Sequence, residues 1–242
     1  MSGGVDSSVA ALLMKNEGYT CVGATMQLYI EGDCSDAKAV ADKLGMPFYI
    51  FPLKEEFKNL VIDRFIEFYE QGKTPNPCVE CNRTLKFGAM MDKMHELDAD
   101  FVVTGHYARV VCENGEYKLK KAVDESKDQS YFLYMLTQDQ LKHIKFPLGE
   151  YTKPEIREIA EENGLITARK KDSQDICFVP DGDYVGFIKG YNGKTYPKGL
   201  FMHKDGFSFG EHKGIVNYTI CQRKGHGIAH KNPLYVHNID PE

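Results

Sequence analysis

Ser2-Gly3-Gly4-Val5-Asp6-Ser7-Ser8 is the stretch that decides how this 242-residue chain is read. Two adjacent glycines let the backbone approach a ligand closely. The pattern after them predicts a helix from Ser7 to about Glu17, N-capped by Asp6 or Ser7 and closed by Gly18. The first turn of such a helix aims unpaired N–H groups and a positive dipole end at whatever the glycines admit. A chain of phosphates suits that geometry. No Lys-Ser or Lys-Thr pair follows the glycines, which excludes the nucleotide loop of kinases and GTPases. An ordinary capped helix after a turn shares the same local pattern, so the loop alone leaves both readings open.

Outward from the loop, strand-like and helix-like segments alternate. Cys21–Tyr29 is a β-rich run, Asp36–Leu44 a helix and Phe48–Leu53 a buried type of strand. A longer helix carries Phe57, Leu60, Val61, Phe65 and Phe68 on one stripe, until Thr74-Pro75-Asn76-Pro77 breaks it. The next helix carries Phe87, Met90, Met91, Met94 and Leu97, a stripe of core filler. Phe101–Thr104 is a short strand ending in Gly105-His106, and a turn at Asn114-Gly115 predicts a hairpin of Arg109–Cys112 with Tyr117–Lys121. This order predicts an α/β fold, a parallel sheet with helices on both faces. Ligands of such sheets bind at the carboxyl ends of strands, where the opening loop and Gly105-His106 fall together. The texture then turns to glycine, aromatics and short β-type segments. A nucleotide-binding domain over residues 1–178 and a small β-rich domain over 179–242 are expected.

Composition bounds the function. With 42% hydrophobic residues the chain can build a core, and no apolar run is long enough to span a membrane. No signal peptide is visible, and seven cysteines in such a chain point to reduced thiols and a cytosolic location. The net charge of −5 argues against a globally basic nucleic-acid binder. Basic clusters at Lys118, Lys120 and Lys121, at Arg169–Lys171 and at Arg223–Lys224 permit an RNA partner without arguing for one.

Cys78 and Cys81 form a C-x-x-C at a predicted helix start, where the dipole and the nearby Arg83 and Lys86 are expected to lower a thiol pKa. A zinc site wants a second ligand pair, which the sequence lacks. A dithiol redox motif fits poorly beside flanking prolines. A nucleophilic or sulfur-handling thiol needs a partner, and Cys177 in Asp172-Ser173-Gln174-Asp175-Ile176-Cys177-Phe178 is the candidate. Cys21 and Cys112 read as apolar strand residues.

The loop resembles the pyrophosphate loop of enzymes that split ATP between the α- and β-phosphates to adenylate a carbonyl oxygen. Taken with Thr74–Phe87, Thr104–Arg109, Lys127–Tyr134, Asp172–Val179 and Gly210–Ile228, it resembles one family across nearly the whole chain, the tRNA-specific 2-thiouridylases. The resemblance implies ATP on Ser2, Gly3, Gly4, Val5, Asp6, Ser7 and Ser8, with adenosine near Met26 and Gly105. It implies Mg²⁺ on the phosphates and a tRNA whose wobble uridine flips out beside Asn76, Pro77 and Cys78, with further tRNA contacts from His106, Lys127, Asp128 and Gln129. Cys177 stands where the family carries a persulfide and Cys81 where it carries the nucleophile. The latter frees sulfide or closes a disulfide with Cys177. The sulfur comes from a sulfur-relay protein or a cysteine desulfurase. Three thiolates, Cys78, Cys81 and Cys177, also allow an alternative sulfur step on a [4Fe–4S] cluster. A related pyrophosphatase without paired cysteines, and a nucleotide- or RNA-binding fragment without turnover, are the competing functions.

The sequence departs from the family's pattern in three respects. Cys78 stands where members often carry Asp, and Cys221 where they carry Gly. If that glycine has a positive φ, a Cβ there costs on the order of 1–2 kcal/mol. Relative to the family the chain lacks a first strand before the loop and a C-terminal β-barrel beyond Glu242, and it is short between Tyr29 and Ser35. Weak, salt-sensitive tRNA binding is the expected consequence.

Overall fold

A computed structural model describes residues 1–29, 34–172 and 175–241. In chain order, α1 (Val5–Asn16) leads to β1 (Gly23–Gln27), α2 (Ser35–Lys43) and β2 (Phe48–Pro52). Next come α3 (Lys54–Phe57), a π-helical turn over Lys58–Ile62, and α4 (Asp63–Glu70). A second helical run joins α5 (Pro77–Cys81), a π-helical stretch over Asn82–Ala89, and α6 (Met90–Glu96). Then follow β3 (Val102–Val103), the pair β4 (Ala108–Glu113) and β5 (Glu116–Lys121), α7 (Gln138–Lys142), β6 (Ile144–Lys145) and α8 (Lys153–Glu162). The chain closes with α9 (Tyr184–Asn192), β7 (Gly199–Met202) and β8 (Ser208–His212). Most of the shortening expected between Tyr29 and Ser35 lies outside the described residues.

The α/β class expected from the alternating pattern holds. It is built in two units, one of Met1–Lys58 with Cys78–Gln174 and one of Asn59–Pro77 with Asp175–Glu242. In the first unit β1 and β2 pair in parallel, Gly23 opposite Phe48 through Gln27 opposite Pro52, with α2 as the crossover. β3 and β6 form a second parallel pair, Val102 opposite Ile144. The expected continuous sheet is therefore two parallel pairs among the described residues. The predicted hairpin forms, Ala108 opposite Lys121 through Glu113 opposite Glu116. Asn114 and Gly115 both take positive φ, 54° and 83°, the turn that matches strand twist.

The core explains which helix faces turn inward. Val5, Val9 and Leu12 of α1 pack with Val40 and Ala41 of α2 and with Ile156 and Ala160 of α8. A second cluster gathers Phe87, Met91 and Met94 with Leu133, Ile144 and Phe146, which makes the methionine stripe core filler. The stripe expected on Phe57, Leu60, Val61, Phe65 and Phe68 is redirected. Phe57, Val61, Ile62, Phe65, Ile66 and Tyr69 are buried, whereas Leu60 and Phe68 are only partly covered. The π-helical turn adds a residue to the spacing and rotates the inward face.

The second unit is held by aromatic packing. Phe65 meets Phe178 edge-on at 5.3 Å, and Tyr69 stacks on Tyr184 at 4.8 Å. Tyr191 donates to Asp63 at 2.8 Å. β7 and β8 pair antiparallel with an irregularity at Phe201/Met202. No helix among the described residues is long and apolar enough to cross a membrane.

Candidate active site

α1 starts two residues earlier than its sequence pattern suggested, and its cap is Gly4 rather than Asp6 or Ser7. Gly4 is extended, at φ −100° and ψ 164°, and no side chain caps the helix. The serine hydroxyls turn the other way. Ser7 and Ser8 Oγ donate to the Gly4 carbonyl at 3.1 and 2.8 Å, and the Ser2 amide donates to Ser7 Oγ at 3.1 Å. The amides of the first turn are thus left to a ligand, at the positive end of a 12-residue helix. Gly3 has φ +70°, which L side chains rarely adopt.

Two neighbours hold this loop. A Cβ on Gly105 would stand 2.7 Å from the Asp6 carbonyl carbon and 2.8 Å from the Ser7 nitrogen, so only glycine lets the end of the β3 segment press against the loop. Lys170 Nζ donates to the Gly3 carbonyl at 3.0 Å and pairs with Asp36 at 2.6 Å. The residue that sequence placed in a basic cluster is committed to the loop. Its neighbour Arg169 is exposed and pairs with Glu161 at 3.4 Å.

Behind the loop lies an ionic network that sequence reasoning missed. Lys153 Nζ donates to both oxygens of Asp6, at 2.7 and 2.8 Å, and lies 2.9 Å from Asp172 Oδ1. Tyr107 donates its hydroxyl to Asp6 at 2.9 Å. Arg157 meets Asp172 at 2.8 Å and Lys127 meets it at 3.5 Å. Burial works to raise the Asp172 carboxyl, and the cations Lys153, Arg157 and Lys127 overcome it and hold the group below its ordinary range. Burial and the Asp6 carboxylate together push the Tyr107 phenol far up, so it serves as a donor. The one available signal was Lys153 at the first position of a helix whose start is already fixed by the Thr152/Glu155 capping box.

The remaining candidates divide by neighbourhood. Met26 lies on β1 opposite Phe51. The Asp128 carboxylate accepts from the Ala122 amide at 2.9 Å and from the Ser130 hydroxyl at 2.7 Å, and Gln129 accepts from the Tyr107 amide at 3.0 Å. Both side chains shape the loop after β5. His106 is 9% exposed, 2.7 Å from Thr104 Oγ1 and packed between the Phe87 and Phe146 rings. Burial, and secondarily Lys86, hold its pKa well below 6.5, so it is neutral.

Cys81 is buried at 8% exposure and Cys78 is exposed. The expected low pKa is not found: burial pushes both thiols up, with Lys86 pulling against it. The expected helix start is there, with Cys78 the second residue of α5 and Cys81 its last, while the Arg83 guanidinium is paired with Glu80 at 2.7 Å. In the second unit Asn76 and Cys177 are exposed and Pro77 is buried, while Ser173 and Gln174 lie outside the described residues. Cys112, read as an apolar strand residue, does lie on a strand, β4, and its side chain is exposed. Among the described residues no disulfide forms, and no group of three or more His, Cys, Asp or Glu side chains is placed to hold a metal ion.

The tRNA methyl transferase HUP domain matches residues 1–181 and the tRNA methyl transferase PRC-barrel domain matches residues 185–242. The tRNA-specific 2-thiouridylase MnmA of Clostridium acetobutylicum is 52% identical over 99% of this chain and 72% of its own length. That of Clostridioides difficile is 48% identical over 100% of the chain and 71% of its own length. The tRNA-specific 2-thiouridylase MnmA 1 of Caldanaerobacter subterraneus subsp. tengcongensis is 49% identical over 100% of the chain and 71% of its own. With the uncapped glycine loop, both cysteine motifs and this identity along its length, the chain belongs to the tRNA-specific 2-thiouridylase family.

Proposed function

We propose that this chain is an ATP-dependent tRNA sulfurtransferase that converts the 2-carbonyl of a wobble uridine to a 2-thiocarbonyl. The observation that carries the reading is the loop itself: an uncapped helix start behind Gly3-Gly4, pressed into place by Gly105. Such a cradle binds polyphosphate through amides and suits a nucleotide whose Mg²⁺ arrives with it. The uridine O2 attacks the α-phosphorus and expels pyrophosphate, so the poor leaving group becomes AMP. A flipped base beside Asn76, Pro77 and Cys78 presents that oxygen.

Sulfur then enters at C2. A persulfide on Cys177, loaded by a sulfur-relay protein or a cysteine desulfurase, attacks C2 through its outer sulfur and AMP departs. The Cys81 thiolate attacks the inner sulfur, which breaks the S–S bond, leaves sulfur on C2 and joins Cys81 to Cys177. Alternatively, Cys81 attacks first and the released hydrosulfide attacks C2. Either order ends in a Cys81–Cys177 disulfide, and an external thiol reductant supplies the two electrons that return it to two thiols. Since Cys81 is buried with a raised pKa, Lys86 is the cation that favours its thiolate. Lys127 and His106 are offered as tRNA-side residues. No step is routed through a cluster.

The test is incubation with ATP, unmodified tRNA, a cysteine desulfurase with cysteine as the persulfide source, and a thiol reductant. Release of AMP and pyrophosphate that depends on tRNA, with 2-thiouridine in the digested product, supports the reading. ATP turnover indifferent to tRNA, or none with ATP bound, favours one of the competing functions.

A further inference from the structure

The segment after Gln129 divides its side chains between core and solvent. Phe132, Leu133 and Leu136 pack on the cluster of Phe87, Met91 and Met94, with Leu133 fully buried. Tyr131 and Tyr134 go the other way, at 58% and 69% exposure, and Met135 is exposed beside them. A single exposed aromatic needs no explanation. Two tyrosines and a methionine on one short turn make a surface that the fold leaves open.

That turn is fixed from several sides. Asp128 accepts from the Ala122 amide at 2.9 Å and from the Ser130 hydroxyl at 2.7 Å, and Gln129 accepts from the Tyr107 amide at 3.0 Å. The Phe132 amide closes onto the Gln129 carbonyl and the Leu133 amide onto the Ser130 carbonyl, both at 3.0 Å. Asn82 Nδ2 donates to the Phe132 carbonyl at 3.3 Å, which ties the turn to the helical run just after Cys81. The Tyr131 ring also packs on that of Phe132, with centroids 3.9 Å apart. Rings held in this way are ordered before a ligand arrives, so covering them costs little conformational entropy.

The neighbourhood selects the ligand. Burial, then the charges of Cys78 and Asp128, raise the Tyr131 phenol, which puts the ring near Cys78. Lys86 acts on the same Cys78 thiol, and Lys127 stands partly exposed just before the turn. Asp128, an acidic neighbour, has its oxygens committed to Ala122 and Ser130. Open aromatic faces beside cations suit single-stranded nucleic acid, whose bases stack on the rings while its phosphates follow the charges. A uridine turned out of its stack also leaves the adjacent bases with an uncovered face, which a tyrosine ring can cover.

We propose that Tyr131 and Tyr134 form a stacking platform for unpaired bases next to the target uridine, so that the chain selects RNA presenting a single-stranded loop. The inference rests on the function proposed above, in that RNA is brought to Cys78.

Fluorescence anisotropy with labelled, unmodified tRNA at low ionic strength reads the affinity without ATP or turnover, and a fully paired RNA duplex is the control. Tyr131→Leu and Tyr134→Leu each weaken tRNA binding by about fivefold or more, the low end for one stacked base, and leave duplex binding unchanged. Tyr131→Phe and Tyr134→Phe keep the ring and stay within about twofold of the wild type. ATP affinity by equilibrium dialysis and the melting temperature are unchanged in all four. Leucine variants that bind tRNA as the wild type does, or phenylalanine variants that lose as much as the leucine ones, overturn the platform. Equal losses on tRNA and duplex overturn it as well. Intact tRNA binding with slower persulfide transfer from a cysteine desulfurase would make the surface a protein-docking site and overturn it too. Each of these outcomes leaves the proposed function standing, whereas a wild-type protein that binds no tRNA removes both.

Discussion

Replacing Cys221 by glycine is expected to stabilise the protein. Cys221 has φ 66°, in the left-handed region where an L side chain crowds its own backbone. The conformation is enforced by its surroundings: the Cys221 amide donates to the Val236 carbonyl at 2.8 Å, and the Val236 amide returns a bond to Gln222 at 3.0 Å. Removing the Cβ relieves on the order of 1–2 kcal/mol. The freer unfolded chain of glycine gives back about 0.5–1 kcal/mol. The side chain is exposed, so little packing is lost. The net gain lies between about 0 and 1.5 kcal/mol with a midpoint of about 0.75 kcal/mol, a rise in melting temperature of roughly 1.5–3 °C at the midpoint for a chain of this length. Differential scanning calorimetry under reducing conditions measures it. Cys221→Ala keeps the Cβ and loses only the thiol, so its melting temperature should match the wild type. A glycine variant no more stable than wild type, or an alanine variant that gains as much, refutes the strain argument.

Gly105→Ala should weaken ATP binding on the order of tenfold or more, because the added methyl meets loop backbone instead of a flexible side chain; equilibrium dialysis against ATP checks it, and unchanged affinity contradicts it. Cys81→Ser and Cys177→Ser should each abolish 2-thiouridine formation while leaving ATP affinity largely intact, as read by nucleoside mass spectrometry beside dialysis. His106 keeps its neutral form in the fold, so below pH 6.5 the unfolded chain takes up a proton that the folded chain does not. Stability from this group is full above pH 6.5 and is lost as the pH falls towards its lowered folded value. His106→Gln should flatten that acid limb in melting curves recorded across the range.

Much of the fold could be read from periodicity, because local pattern and tertiary burial agree. Asn114-Gly115 gave the hairpin, and Phe87, Met91 and Met94 gave the inward face of their helical run. Patterning failed where the helix itself departs from 3.6 residues per turn: the π-helical turn at Lys58–Ile62 brings Ile62, Ile66 and Tyr69 inward. The loop was legible only together with the later motifs, because Gly3-Gly4 before a helix also suits an ordinary turn. The partners of the loop were not, since Lys153 and Lys170 lie more than a hundred residues away and look in sequence like surface cations. The thiol pKa values were misjudged for a related reason. Charge near Cys81 is visible in sequence, whereas its burial depends on residues distant along the chain.

The central claim is that the uridine 2-oxygen attacks the α-phosphorus of ATP and leaves with AMP. A synthetic anticodon stem-loop with ¹⁸O at the uridine 2-position, incubated with the protein, ATP, a cysteine desulfurase, cysteine and a thiol reductant, tests it in one mass spectrum. The account predicts that AMP gains the label in step with 2-thiouridine formed, while pyrophosphate carries none. Thiolated product with unlabelled AMP, or label in pyrophosphate, contradicts it.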